Sequence, residues 1–437
     1  MSDGFDPGKG TALPGPATGG QEISDFQVSG GLALFTGIFD EEMIHMYDLI
    51  LKGGSVVDPA QNIHRVLDVA IKDGKIASLQ EDIPQEKARD VIDVTGKVVT
   101  PGLIDLHTHA YWGGTGLGIK PDPVSRETGV TTFVDAGSAG AGNFIGFKEY
   151  VIERSKARVL AFLHISYLGL HGAVYDPANF VIIGESSDLR YAMLGPAVAV
   201  GKAYPDLIKG IKVRLSIESS VDQGVKPLLL ALQAAEALDK PVMAHIGPPP
   251  PSRREVLSLL REGDILTHVF RGDPNGPLDS KGRILPEMLQ ARERGVVMDL
   301  AHGGSSFSWK VAEKMLEQGF LPDVISSDMH IGLSVKIGGW PGVPARTQVT
   351  TMSKMLSLGM SLDDVVRAST YTPAKVIDCQ DELGSLQEGR AADVAVFELE
   401  KGRFEFDDRY SGEVVGDTKL VHLATILGGE VLSNRIS

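Results

Sequence analysis

Residues 98–114 read VVTPGLIDLHTHAYWGG, an apolar, β-branched run that halts at Gly102, restarts as GLIDLHTH and delivers two histidines, His107 and His109, at positions i and i+2. Successive side chains on a strand point to opposite faces, so residues two apart share a face. Both imidazoles therefore leave one side of the same strand. An open, doubly wound nucleotide-binding sheet would place a glycine-rich turn after its first strand. Here that place holds histidines, so the open sheet is set aside.

Working outward toward the C-terminus, residues 99–384 alternate β-branched runs with amphipathic stretches. After GLIDLHTH the strand candidates are GVTTFVDA, VLAFLHIS, KGIKVRLS, PVMAHIG, DILTHVF, GVVMDLAH and DVISSDMH. Helical patterns lie between them, among them Lys226–Leu238, Arg254–Arg261 and Trp309–Gly319, each ending near Gly or Pro. Eight such repeats predict an α/β fold, a (β/α)8 TIM barrel. On either side the texture is different. Residues 47–98 (YDLILKGGSVVDP, LDVAIKDGKIASLQ, DVIDVTGKVVTPG) and 385–437 (AADVAVFELEKGRFEF, KLVHLATILGGEVLS) are short strands divided by Asp-Gly, Gly-Gly and Thr-Gly turns. Because the ends of a domain often lie close together, both blocks are expected to form one small β domain. Residues 1–46 are rich in Gly, Pro, Ser and Thr and are read as a disordered extension or leader. The apolar run Gly31–Phe39 is far shorter than the roughly 20 residues a membrane span needs.

Composition narrows the partners. The 437 residues carry 42 basic and 57 acidic side chains, net charge −15, which repels phosphate backbones and anionic lipid heads. Neither nucleic acid nor a membrane is an expected partner, a small molecule is, and a homo-oligomer is left open. The single cysteine, Cys379, makes no intrachain disulfide, and a cytoplasmic location is expected.

Five polar positions recur at strand ends: the His107/His109 pair, Lys212 in GIKVRL, His245 in VMAHIG, His268 in ILTHVF and Asp328 in ISSDMH. The intervals, 103, 33, 23 and 60 residues from His109 onward, correspond to three, one, one and two βα units. In a barrel the carboxyl ends of the strands form the rim on which catalytic groups collect. Singly, each has a plainer reading: a packed histidine, a snorkelling lysine, an aspartate helix cap. Together they favour a metal site.

These residues, with VVTPGLIDLHTHAYWGG and the later TPAKVI and LGSLQEGRAADVAVFE, resemble the amidohydrolase superfamily, over the chain from Tyr47 onward. GIKVRLS, MAHIGPPPP and AHGGSSFSW are similar to segments of its dihydroorotase-like deacetylases, the acetylmandelate-hydrolase type. The resemblance implies two divalent metal ions, zinc, bridged by a hydroxide nucleophile. His107, His109 and Asp328 would hold the first, His245 and His268 the second, and Lys212, carboxylated by CO2, would bridge both. Charge agrees, since an ammonium between two divalent cations is not tenable. The resemblance gives Asp328 the catalytic acid/base role as well. The implied activity is metal-dependent removal of an acyl group from a small carboxylate-bearing substrate, an N-acyl amino acid or an O-acetyl 2-hydroxy acid. A cyclic amidase of dihydroorotase or hydantoinase type and a catalytically silent scaffold are the rivals. True dihydroorotases carry an arginine just after the paired histidines, where this chain has Ala110, Tyr111 and Trp112. For substrate contacts the sequence offers Arg271, Trp112, His302 and Gly303.

Overall fold

A computed structural model describes residues 46–175, 180–183, 185–331, 346–408 and 410–436. The expected N-terminal extension, apart from Met46, lies outside the described residues. The first strands are β1 (Tyr47–Asp58), β2 (Ile63–Lys72), β3 (Lys75–Gln80), β4 (Ala88–Asp93) and β5 (Val98–Pro101). The middle of the chain holds β6 (Leu103–Thr108), β7 (Val130–Gly140), β8 (Arg158–His164), β9 (Gly172–Tyr175), β10 (Phe180–Ile183), β11 (Ile208–Leu215), β12 (Val242–Ile246), β13 (Ile265–Thr267) and β14 (Val297–Asp299). The last are β15 (Val394–Asp408), β16 (Gly412–Leu427) and β17 (Glu430–Asn434).

Both ends of the chain share one sheet, in the order β17-β16-β15-β5-β1-β2-β3 with β4 also paired to β1. Its turns follow local chemistry: Asp73 (φ +49°) and Gly74 (φ +74°) connect β2 to β3, the two positive φ values that a two-residue hairpin turn requires. A separate core, built from Leu49, Leu51, Val69, Val99, Val394 and Ile426 among others, holds this sheet together.

The second sheet is parallel and curled, in the order β14-β13-β12-β11-β8-β7-β6. Every residue of β6 and β7 is buried, as expected where helices cover the outer face and side chains fill the inner one. Helix Lys226–Leu238 packs Leu228, Ala231, Ala234 and Ala235 inward and stops at Asp239 in the left-handed region. Helix Arg253–Leu259 starts with a reciprocal capping box between Ser252 and Glu255. Helix Trp309–Glu317 also falls within the stretch read from the sequence.

DVISSDMH is a correction: it forms no ladder. It touches the edge strands through single parallel bridges, Asp299 with Val324 and Thr108 with Met329. The reason is visible in its backbone, because Asp328 sits at φ +49°, which breaks the pleat. His268 (φ +64°), just beyond β13, and Ala301 (φ +41°), two residues beyond β14, likewise stand where those three-residue strands have ended. Extended structure gives way where side chains turn into the mouth of the curl. No helix among the described residues is long and apolar enough to cross a membrane.

Candidate active site

His107, on β6, is buried, with Nδ1 3.3 Å from Asp299 and Nε2 3.1 Å from Lys212 Nζ. His109 follows the strand, its Nδ1 3.0 Å from Ser138 Oγ. Asp328 Oδ1 stands 3.2 Å from His109 Nε2 and 3.6 Å from His107 Nε2. His107, His109 and Asp328 offer one ligand atom each within 4.8 Å of one another, a spacing that can hold a metal ion. Beside them His245 Nδ1 lies 2.7 Å from His268 Nε2, and the His107 and His268 rings are 5.4 Å apart. All six expected side chains therefore converge.

The protonation pattern suits a cation. His268 Nδ1 is 2.7 Å from the Ala301 carbonyl, which can only accept, so this ring carries its proton on Nδ1 and turns a bare Nε2 lone pair toward His245. Burial holds His107 and His245 well below the ordinary imidazole range and His268 at about 3, so these rings are neutral. Burial alone would raise Asp328, yet its carboxyl is held well below the usual range, with His109 Nε2 hydrogen-bonded to it. Neutral nitrogens and a carboxylate crowded together lack positive charge, which divalent cations would supply. Burial also pushes Lys212 down to about 7, despite the opposing pull of Asp328. A neutral amine is the form that reacts with CO2, and a carbamate would add the missing anionic ligand.

The surroundings position these groups. Gly137 (φ +83°) leaves space that a Cβ would take from the Lys212 stem, at 2.6 Å. Gly303 (φ +55°) does the same for Asp328, whose Oδ2 would lie 2.3 Å from a Cβ. Ser327 donates to the buried Asp105, and Ser326 Oγ donates to Asp299 at 2.5 Å. Burial raises these carboxyls to about 7 and about 8 respectively.

A cavity of about 380 Å³ opens over the cluster, lined by His107, His109, Lys212, His245 and Asp328 and, beyond them, by Arg214, Arg271 and His330. Arg271 thus faces the site. The three other expected contacts stand apart from the cavity lining. Trp112 is not among the cavity's lining residues, and the Lys120 ammonium sits 4.9 Å from its ring centroid. His302 is buried behind the wall, its Nε2 2.7 Å from Lys354 Nζ and its ring stacked on Phe307. The Gly303 N–H donates to the Ser327 carbonyl at 2.9 Å, so it offers nothing to an anion and serves by its smallness.

Arg214, Glu185 and His330 escaped the sequence reading. Arg214 follows Lys212 by two positions on β11, and His330 follows Asp328 by two, the same spacing that picked out His107 and His109. A larger depression, about 980 Å³, lies around the amino ends of β12–β14 near Pro241, Asp264 and Val297, far along the strands from these groups. In open α/β sheets and barrels alike, ligands bind at the carboxyl ends.

The sequence pattern of the Amidohydrolase family matches residues 290–432. A deacetylase from Brucella anthropi is 37% identical over 337 residues, covering 77% of this chain and 80% of its own. Among solved structures, an adenine deaminase superposes with a TM-score of 0.78 at 31% identity, covering 89% of this chain and 100% of its own. A dihydroorotase does so with a TM-score of 0.76 at 33% identity, covering 88% and 97%. Identity of that degree across four-fifths of a relative, together with the pattern match, makes this chain a member of the amidohydrolase family and a hydrolase.

Proposed function

We propose that this hydrolase removes an acyl group from a small carboxylate-bearing substrate, an N-acyl amino acid or an O-acetyl 2-hydroxy acid, releasing a short carboxylic acid. The observation that carries the reading is the convergence of His107, His109, Lys212, His245, His268 and Asp328 at one end of the curled sheet. The 37% identical relative from Brucella anthropi is named a deacetylase, which points the same way. We read residues 324–329 as the eighth, irregular strand that closes a (β/α)8 barrel, since they bridge both edge strands.

Two divalent cations, zinc in this reading, would be held by His107, His109 and Asp328 and by His245 and His268, with carboxylated Lys212 between. When bound, such a pair acidifies a shared water and polarises a substrate carbonyl. Asp328 accepts the proton of the attacking water and returns it to the leaving nitrogen or oxygen. Asp299 and Ser138 hold His107 and His109 by their Nδ1 atoms, which fixes the direction of each Nε2. Arg214 and Arg271 on the cavity wall are the cations available to the carboxylate of the substrate. The lone cysteine, Cys379, is free, which fits the cytoplasmic location we assign.

The test is a hydrolysis screen of N-acetyl amino acids and O-acetyl 2-hydroxy acids of both hands, run beside metal analysis. Acetate release with two metals per chain is expected. Opening of a dihydroorotate- or hydantoin-like ring with no second product would replace the reading with a cyclic amidase. A chain that takes up no metal and hydrolyses nothing would be a silent scaffold.

A further inference from the structure

Strand β11 turns Lys212 and Arg214 to the same side, because they are two residues apart. Both line the cavity. Arg214 pairs in register with His245 on β12, so its backbone runs about 4.8 Å from that histidine's. Its side chain is 11% exposed.

What holds it is buried. Arg214 Nη1 lies 2.8 Å from Glu185 Oε1, and Glu185 is fully buried. Among the described residues Glu185 is the only hydrogen-bond partner of this guanidinium, which has five N–H donors in a fixed fork. Behind Glu185 stands His164, also fully buried. The Ser166 N–H donates to His164 Nδ1 at 3.0 Å, so the neutral ring carries its proton on Nε2. That nitrogen lies 3.9 Å from Glu185 Oε2, and neither atom has a hydrogen-bond partner. Buried polar groups are rarely left so. A small shift would close His164–Glu185–Arg214 into a chain that ends in the cavity.

We propose that Arg214 grips the substrate carboxylate, with Glu185 and His164 as its positioning residues, and that the carboxylate sits one or two bonds from the atom bearing the acyl group. The short separation follows from the strand geometry and from a cavity near the lower end of the usual ligand-pocket range. Guanidinium suits the task because it meets a carboxylate with two parallel N–H···O bonds. The inference rests on the deacylation reading and deepens it by naming the group that would recognise the α-carboxylate of those substrates and the residues that position it.

Binding of lactate and of lactamide to the metal-loaded chain, measured by titration calorimetry, tests the assignment without any turnover. Wild type binds lactate at least tenfold more tightly than lactamide. Arg214→Met abolishes that preference and leaves lactamide affinity unchanged, and Glu185→Gln weakens it by a smaller factor. Should Arg214→Met fail to fold with Glu185 left unpaired, the double variant Arg214→Met/Glu185→Gln removes the orphaned carboxylate and is expected to lose the preference too. Equal loss for both ligands, no preference in wild type, or a loss confined to Arg271→Met would each overturn the proposal. A retained preference for lactate in a chain that hydrolyses no acyl compound would refute deacylation while leaving the carboxylate grip in place.

Discussion

Two demands meet at Asp328: its backbone holds φ +49°, a region costly for any residue but glycine, and its carboxylate stands among His107, His109 and His268. Strain of this kind persists only where the surroundings fix it, here by Gly303, which makes room for Oδ2. If Asp328 moves the proton, Asp328→Asn keeps an oxygen ligand but cannot accept one. The variant is expected to retain its metal, by elemental analysis, and to lose about 10²- to 10⁴-fold in kcat. Wild-type turnover in it would remove Asp328 from proton transfer. In the proposed centre, Lys212→Ala would remove the bridging anion. Its activity is expected to fall below detection and to recover in part with added formate or acetate, whereas wild-type rates without them would rule out the bridge. The six converging residues were legible because each stands in or just after an apolar, β-branched run, and such runs come together side by side. Arg214 was legible in principle by the two-residue rule. Glu185 was not, since its partners, His164 and Arg214, lie 21 and 29 residues away and nothing local announces them. His302 was singled out because a histidine beside two glycines looks like a mouth residue; its partner Lys354 is 52 positions on and could not be read locally.

Strands β15 and β16 form a hairpin that leaves the small sheet and follows helix Gln348–Ser357, where Ser353 and Ser357 bond to Leu420 and Thr418. At its far end Asp407 meets Lys354, Asp408 accepts from Trp309 N–H, and the Tyr410 hydroxyl donates to the Ser305 carbonyl. Tyr410 also lines the cavity, its ring lying against Gly272. The hairpin thus carries a wall of the site from the small sheet. Tyr410→Ala is expected to raise KM roughly fivefold, the loss of about 1 kcal/mol of aromatic contact, with kcat little changed. Tyr410→Phe, which keeps the ring, should stay near wild type in steady-state kinetics. A kcat loss shared by both variants would show that the hydroxyl contributes to the chemistry instead. The first half of β15 was legible as an apolar run. The second half, EKGRFEFDD, was read as far as Phe406, where Phe404 and Phe406 alternate with charged residues; the last two residues, Asp407 and Asp408, have no apolar signal and are extended because they pair with Glu413 and Gly412 of β16. Helix Lys226–Leu238 needed no such help: Pro near its start and an inward row of Leu and Ala define it locally.

At the scale of the molecule, the six side chains come from β6 and the turn after it, β11, β12, the end of β13 and residues 324–329, so anything that binds them ties five separate segments together. Without a cation those segments hold a carboxylate and several neutral imidazoles against one another, next to Asp105 and Asp299. A ligand that binds only the folded chain stabilises it by an amount that grows with the logarithm of its concentration over Kd, about 4 kcal/mol at a thousandfold excess. Stripping the metal with a chelator is therefore expected to abolish hydrolysis and also to lower Tm by several degrees in scanning calorimetry, both restored by adding zinc. Lower pH should ease the stripping, since protons compete for imidazole and carbamate ligands. The same treatment of a chain carrying His245→Ala and His268→Ala should produce a smaller Tm shift, because only the group around His107, His109 and Asp328 remains. A Tm indifferent to chelator in the wild type, with metal content near zero throughout, would mean that these residues pack against one another for structural reasons, and the hydrolytic centre would have to be sought elsewhere in the fold.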